Sequence, residues 1–276
     1  MTLNCLGNLI DLSAPRVMGV LNITPDSFHD GGKYGQERKW LAHTGKMLED
    51  GATFIDVGGY SSRPNADHIS VEEELSRVVP VVQSLITHFP GILISIDSFR
   101  SEVAQAALDH GAAMINDISG GHADSNMLPL ASERQVPLIL MHMKGTPQTM
   151  TQETEYDNLL EDVLFYFSER LAKARDLGIN DVVVDPGFGF AKTIDQNFEL
   201  LDQLGLFQAL ERPVLVGVSR KSMIYKSLSG SPTDALNGTT ALHMSALERG
   251  ALILRAHDVQ EAMECITLHE KLKKGR

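Results

Sequence analysis

The feature that most constrains this chain is a rhythm. From Arg16 onward, eight short apolar runs rich in Val, Ile and Leu alternate with longer amphipathic stretches. The runs are VMGVLNI (17–23), TFIDVGG (53–59), ILISID (92–97), AMINDI (113–118), PLILMH (137–142), DVVVDP (181–186), VLVGVSR (214–220) and ALILRAH (251–257). Between them, helical patterning occupies 71–89, 102–111 and the segment from Tyr156 to Gly178, and Gly111, Gly178 and Gly250 stand just before the next run, as helix-ending glycines do. This is the pattern of successive strand–helix units around a parallel sheet, and eight such units closing on themselves predict a (β/α)8 TIM barrel. A doubly wound open sheet is the alternative, but no G-x-G-x-x-G turn follows any run.

Barrels of this kind run to about 250 residues as one unit. Residues 1–276 carry no repeat, low-complexity tract or linker, so they read as a single domain, with LNCLGNLIDL (3–12) predicted as an N-terminal β-hairpin capping the barrel floor.

In such a barrel, reacting groups project from the C-terminal ends of the strands. There the chain offers Asn22, Asp56, Asp97, Asn116 with Asp117, His142, Asp185, Ser219 to Lys221, and Arg255 with His257. Any one of them has a plain explanation, because Asp and Asn favour the turns that end strands. Carboxylates and amides converging from several strands, joined by cations from the last two, predict a small-molecule site. Asp185, in VVVDPGFGF, would face into the barrel with Asp97 and Asn116 and accept hydrogen bonds from a ring with several N–H groups along one edge. An aminopyrimidinone is such a ring. A buried carboxylate needs paired donors to offset its desolvation, and this requirement would select the ring.

Charge sharpens the reading. With 24 Lys and Arg against 36 Asp and Glu, the formal charge is −12, which leaves no basic field for nucleic acid. In so acidic a chain, a local basic cluster is informative. SRKS (219–222) and RAH (255–257) follow the seventh and eighth runs, where barrels often bind phosphate. Arg255 and His257, at alternate strand positions, share a face. The grouping favours an anionic substrate moiety.

Other motifs are excluded or read as structural. GFGFAK (187–192) is not a P-loop, since Ala191 precedes Lys192 where the motif requires glycine; Phe188 and Phe190 read as packing, rim or pocket aromatics. His142 reads as a satisfied barrel histidine, because no H-x-H or H-E-x-x-H spacing supports a permanent metal centre. Cys5 and Cys265 match no zinc spacing and no dense disulfide framework, which points to a reducing cytosol. No apolar run reaches the roughly 18 residues of a membrane span, and the first twenty residues show no signal-peptide pattern, so a cytoplasmic location is expected.

At these residues the sequence resembles the bacterial dihydropteroate synthases, the folate-pathway transferases inhibited by sulfonamides. The resemblance rests on MGVLNITPDSFHDGG (18–32), IDVGGYSSRP (55–64), SIDSF (95–99), INDISGG (115–121), LMHMKGTP (140–147), DPGFGF (185–190), VSRKS (218–222) and RAHDV (255–259), in that order along nearly the whole chain. It implies a TIM barrel that condenses 6-hydroxymethyl-7,8-dihydropterin pyrophosphate with p-aminobenzoate, giving 7,8-dihydropteroate and pyrophosphate. It also implies that Asp97, Asn116, Asp185 and Lys221 hold the pterin, and that Asn22, Arg63, Arg255 and His257 hold the pyrophosphate, with Mg2+ bridging its oxygens and Asn22. The loop after the first run, with Asp26, Ser27 and Phe28, and the loop after the second, with Ser62, Arg63 and Pro64, would fold over the site. Together with Phe190, Lys221 and Ser222 they would shape the p-aminobenzoate pocket. Asp26 would be available to take the amine's proton, and members of the family usually form homodimers.

Corrinoid-dependent methyltransferases share a similar pterin barrel, but should not need the TPDSF loop or the Arg255 and His257 pair. A non-catalytic pterin-binding protein is the remaining alternative. Two loops depart from the family pattern: Tyr60, Ser61, Ser62, Arg63, Pro64 and Asn65 stand where Glu-Ser-Thr-Arg-Pro-Gly is usual, and His29 stands where Ser is frequent. These departures bear on the amine-acceptor pocket more than on the reaction class.

Overall fold

The computed structural model describes residues 1–23, 32–61 and 67–274. The chain opens with the expected hairpin, β1 (Thr2–Cys5) paired antiparallel with β2 (Asn8–Asp11). Its two-residue turn places Leu6 at φ 54° and Gly7 at φ 84°, the two left-handed positions that a type I′ turn demands.

Eight parallel strands follow: β3 (Arg16–Asn22), β4 (Phe54–Gly58), β5 (Ile94–Asp97), β6 (Met114–Asp117), β7 (Leu138–Met141), β8 (Val182–Asp185), β9 (Leu215–Val216) and β10 (Ile253–Ala256). Seven lie inside one of the eight apolar runs, and β3 begins one residue before its run, at Arg16. Their order in the sheet is β8-β7-β6-β5-β4-β3-β10-β9. The last gap is closed by a parallel bridge between Val184 and Val214, with Val184 N–H donating to Pro213 O at 3.0 Å, so the sheet is a barrel.

The helices α1 (Gly32–Glu49), α2 (Val71–His88), α3 (Ser101–Asp109), α4 (Met127–Arg134), α5 (Leu159–Asp176), α6 (Ile194–Asp202), α7 (Ser222–Ser227), α8 (Leu236–Glu248) and α9 (Val259–Lys274) connect or follow the strands. Helix α5 starts at Leu159 and not at Tyr156, because Asn158 in extended backbone caps it, its side chain accepting from Glu161 N–H. The Tyr156 hydroxyl donates instead to Ala191 O at 2.8 Å.

Two apolar layers result. Outward-facing strand residues such as Val17, Ile55, Ile96, Ile115, Leu140, Val184 and Leu254 pack beneath the helices. Inward-facing residues low in the barrel, Met18, Phe54, Met114, Ile139, Val183, Leu215 and Ile253, pack with Leu3, Cys5 and Leu12 of the hairpin segment. The hairpin therefore plugs the floor. Because side chains alternate along a strand, continuing two or four residues from that layer brings Asp56, Asn116, Asp185, Arg255 and Asn22 onto the same inner wall. No helix among the described residues is long and apolar enough to cross a membrane.

Candidate active site

Strand register assembles the site. Asn22, Gly58, Asp97 and Asn116 are paired across β3, β4, β5 and β6, so they form one row around the upper lumen. Asp56 and Ser95 pair one step deeper. From β10, which pairs with the other edge of β3, comes Arg255, and it ties the row together: Nε donates to Asp56 Oδ2 at 2.7 Å and Nη2 to Asp97 Oδ2 at 2.8 Å. Asn116 Nδ2 donates to the same Asp56 oxygen at 3.0 Å. Asp56 Oδ1 and Ser95 Oγ are buried with no hydrogen-bond partner among the described residues. A buried acceptor without a donor is costly, and both side chains lie on the inner wall, one step below Asp97 and Asn116.

The electrostatics follow from two carboxylates sharing one guanidinium. Burial, then the neighbouring Asp56 charge, pushes the Asp97 carboxyl up to about 7, against the pull of Arg255. Desolvation opposes the charge on Arg255, but Asp56 and Asp97 outweigh it and hold the guanidinium protonated above its ordinary range. Asp185 is buried, and that burial raises its carboxyl, opposed by the Lys221 charge, by the Gly187 N–H that Oδ1 accepts at 2.8 Å, and by Arg255 and Lys192. Burial lowers the Lys221 ammonium to about 8, with Asp185 opposing. Lys221 Nζ donates to Phe188 O and stands 4.7 Å from the ring centre of Phe190.

At the mouth, His257 is exposed, with its Nδ1 3.0 Å from Ser219 Oγ, an oxygen that also accepts from the His257 N–H at 3.2 Å. Ser222 is the half-buried first residue of α7, next to Lys221. Asn22 is half-buried at the end of β3.

The structure thus gathers Asn22, Asp97, Asn116, Asp185, Lys221, Ser222, Arg255 and Phe190 around one end of the barrel. Asp26, Ser27, Phe28 and His29, and Ser62, Arg63, Pro64 and Asn65, lie outside the described residues. Some expected candidates turn elsewhere. Asp117 faces away from the lumen and accepts from Ser119 N–H, Ser119 Oγ and Gly121 N–H, so its work is to build the turn after β6. Arg220 is committed to Asp258 through Nε at 2.8 Å and Nη2 at 2.7 Å. Phe188 is core, whereas Phe190 is at the rim.

His142 is buried and satisfied, as read, but by an unforeseen partner: Lys192 Nζ lies 2.9 Å from its Nδ1. Burial, then the Lys192 charge, lowers the imidazole to about 2, so it is neutral. The central ion-pair role of Asp56 was also not apparent; the only signal was a charged residue in the middle of the run TFIDVGG.

Residues 18–257 match the family model described as pterin binding enzyme. A dihydropteroate synthase of Escherichia coli (strain K12) is 43% identical over 272 residues, 98% of this chain and 96% of that protein. Among solved structures, a Yersinia pestis dihydropteroate synthase with a sulfonamide drug superposes with TM-score 0.93 at 40% identity, over 99% of this chain and 100% of that one. A Xanthomonas albilineans dihydropteroate synthase with 4-aminobenzoic acid gives TM-score 0.92 at 38% identity, over 99% and 98%. This chain belongs to the pterin binding enzyme family and, within it, to the dihydropteroate synthases.

Proposed function

We infer from this family membership and from the lumen geometry how one condensation is divided among the side chains. The chain condenses 6-hydroxymethyl-7,8-dihydropterin pyrophosphate with p-aminobenzoate to give 7,8-dihydropteroate and pyrophosphate. The observation that carries the assignment of roles is the lumen set itself: Asp97, Asn116 and Asp185 present acceptors on one inner wall, Asp56 Oδ1 and Ser95 Oγ stand unpartnered on the same wall, and two cations balance their charge.

In this reading the pterin ring lies among Asp97, Asn116, Asp185 and Lys221, its N–H edge donating to the carboxylates. Asn22, Arg255 and His257, together with Arg63, would bind the pyrophosphate. The bond between the pterin methylene carbon and the pyrophosphate oxygen breaks, and the electron pair leaves with pyrophosphate. The electron-rich dihydropterin ring delocalises the positive character on carbon. The amine nitrogen of p-aminobenzoate then forms the new C–N bond and loses a proton, for which Asp26 is the proposed acceptor. An arylamine is unprotonated at neutral pH, so no base has to act before attack. Cations fixed in a water-poor lumen stabilise the departing charge, an effect worth about 3–4 kcal/mol per well-placed donor.

Mg2+ fits this donor set as a substrate-borne ion. No cluster of three or more His, Cys, Asp or Glu among the described residues would cage a metal, whereas Asn22, half-buried at the end of β3, offers one neutral oxygen beside the expected phosphates. Such a site suits a hard cation that takes most of its ligands from phosphate and water. When bound, Mg2+ would neutralise pyrophosphate oxygens; Asn22 and Arg255 would orient the same group.

The p-aminobenzoate pocket is proposed to include Phe190, Lys221 and Ser222, completed by Phe28, Ser62, Arg63 and Pro64. We further propose a cytoplasmic homodimer of single-domain chains, a reading supported by the family resemblance and by Leu268 and Leu272, exposed one turn apart on α9. Sedimentation would test it. The activity is tested by measuring pyrophosphate and dihydropteroate formation from the two substrates. Stoichiometric release of both is expected; pterin binding without release of either would overturn the enzymatic reading.

A further inference from the structure

Lys192 is buried, which lowers its ammonium to about 7 against the pull of Asp185; it forms no ion pair among the described residues, and the condensation, as assigned above, does not use it. An ammonium has three donors, and Lys192 meets three acceptors: His142 Nδ1 at 2.9 Å, Gly187 O at 3.1 Å and Phe190 O at 3.1 Å. Two of these belong to the loop between β8 and α6. That loop is tightly wound, with Gly187, Gly189 and Ala191 at φ 72°, 79° and 50°. A Cβ on Gly187 would stand 2.0 Å from His142 O, so the backbone there passes directly against β7.

The loop's carbonyls are claimed one by one by side chains. Phe188 O takes Lys221, Ala191 O takes Tyr156, and Gly187 and Phe190 take Lys192. Gly189 N–H donates to Asn197 Oδ1 at 2.6 Å. Gly187 is the hinge of the arrangement. Its carbonyl accepts from Lys192, and its N–H donates to Asp185 Oδ1 at 2.8 Å. One residue therefore connects the ammonium to the carboxylate proposed to receive the pterin ring. The ammonium also lies close enough to Asp185 to favour its ionised form.

We propose that Lys192 is a positioning residue for Asp185: by holding the Gly187 carbonyl against neutral His142, it fixes the carboxylate that accepts the pterin's N–H groups. His142 serves as the acceptor that anchors the ammonium from below. The pocket's selectivity for a donor-edged ring then depends on a side chain that never touches the ring. The inference rests on the reading of Asp185 given above.

The test is Lys192→Met, which keeps length and removes all three donors, alongside Lys192→Gln, which keeps two donors and loses the charge, and Lys192→Arg, which keeps both. Binding of 6-hydroxymethylpterin is measured by calorimetry, and KM is measured separately for each substrate. In the Met and Gln variants, pterin affinity and the KM for dihydropterin pyrophosphate should worsen tenfold or more. The KM for p-aminobenzoate should move less than threefold, since the Phe190 ring keeps its contact with Lys221. The Arg variant should recover most of the pterin affinity. If Lys192→Met does not fold, the Gln variant decides the same question.

Unchanged pterin affinity in a folded variant would overturn the proposal, as would equal losses for both substrates or an Arg variant no better than Met. Asp185→Asn separates the two readings. If that change spares pterin binding, the assignment of Asp185 fails; if it abolishes binding while the Lys192 variants bind normally, only the role of Lys192 fails.

Discussion

The floor and the mouth of the barrel are made from the same strands, two to four residues apart, yet they answer to different physics. On the floor, Met18, Phe54, Met114, Val183 and Ile253 meet the hairpin's Leu3 and Cys5 in a dry layer where burial alone is stabilising. Two residues up each of β4, β6, β8 and β10, the side chains become Asp56, Asn116, Asp185 and Arg255. There every burial costs desolvation and is offset only by a partner. The floor can thus be specified residue by residue, whereas the mouth works only as a set. A charge removed from it leaves another unpaired.

The largest expected effect breaks the mouth and spares the floor. Asp185→Asn presents a donor where the pterin needs an acceptor, so turnover should fall about 10⁴-fold, roughly 5.5 kcal/mol of barrier, with pterin binding lost in calorimetry. The melting temperature should also fall, because buried Lys221 loses its counter-charge. An intact pterin affinity would take Asp185 out of the pocket.

The mirror experiment is Phe54→Ala. Phe54 is fully buried on the floor, and its removal should cost about 3–5 kcal/mol of stability in denaturant titration. The fraction still folded should turn over with unchanged KM values. A selective loss of substrate binding would mean that floor and mouth are coupled through the barrel wall.

A third prediction concerns completion of the mouth by its loops. With pyrophosphate and Mg2+ present, p-aminobenzoate should bind at least tenfold more tightly than to the free enzyme, as anion binding organises the acceptor pocket. Equal affinity in both conditions, read by calorimetry, would contradict it.

Asp97 gives a smaller effect with a definite sign. Its folded-state pKa, about 7, lies above the unfolded value, so between about pH 4 and 7 the folded state retains a proton that the unfolded chain has released. Stability from this group is present below that window and is lost as pH rises through it. Asp97→Asn should therefore gain on the wild type in melting temperature from pH 4 to 7 and then level off. A rise of about three pKa units sets an upper bound of roughly 4 kcal/mol on that gain, and the pairing with Arg255 that the amide gives up offsets part of it. A difference independent of pH would show that Asp97 is ionised throughout, held by Arg255.

The smallest effect is expected at Tyr60. Its buried ring sits edge-on to Phe99 at 5.0 Å, with Arg100 5.4 Å from its centre, and its hydroxyl accepts from Gln148 Nε2 at 2.5 Å. Tyr60→Glu with Ser62→Thr should leave turnover within about tenfold, roughly 1.4 kcal/mol. A hundredfold gain would mean that the native chain is catalytically compromised.

Much of this contrast was legible in the sequence. The eight apolar runs mark the strands because a buried parallel strand needs apolar residues on both faces, and Asp97, Asn116, Asp185 and Arg255 announce themselves by interrupting those runs at their ends. What the sequence could not show depends on how the barrel closes. Asp56 and Arg255 are 199 positions apart, and they meet because the strands are staggered, with Arg255 level with Met18 rather than with Asn22. Asp117 looks as good a candidate as Asn116, but one residue's difference in parity turns it outward. Lys192 sits in a motif whose only sequence-level reading is a failed phosphate loop; its partner His142 lies 50 positions away, and only the folded β7–β8 edge brings them together.

The hairpin under the barrel has a kinetic consequence. With Leu3, Cys5 and Leu12 packed across one end, the barrel is closed from below, and a ligand reaching Asp185 has to come from the mouth. Whatever binds at Asp185 must enter before anything settles above it, and must wait for the upper occupant to go. The order in which substrates arrive and products depart is then a property of the architecture, fixed by ten residues of N-terminal chain at the end opposite the chemistry.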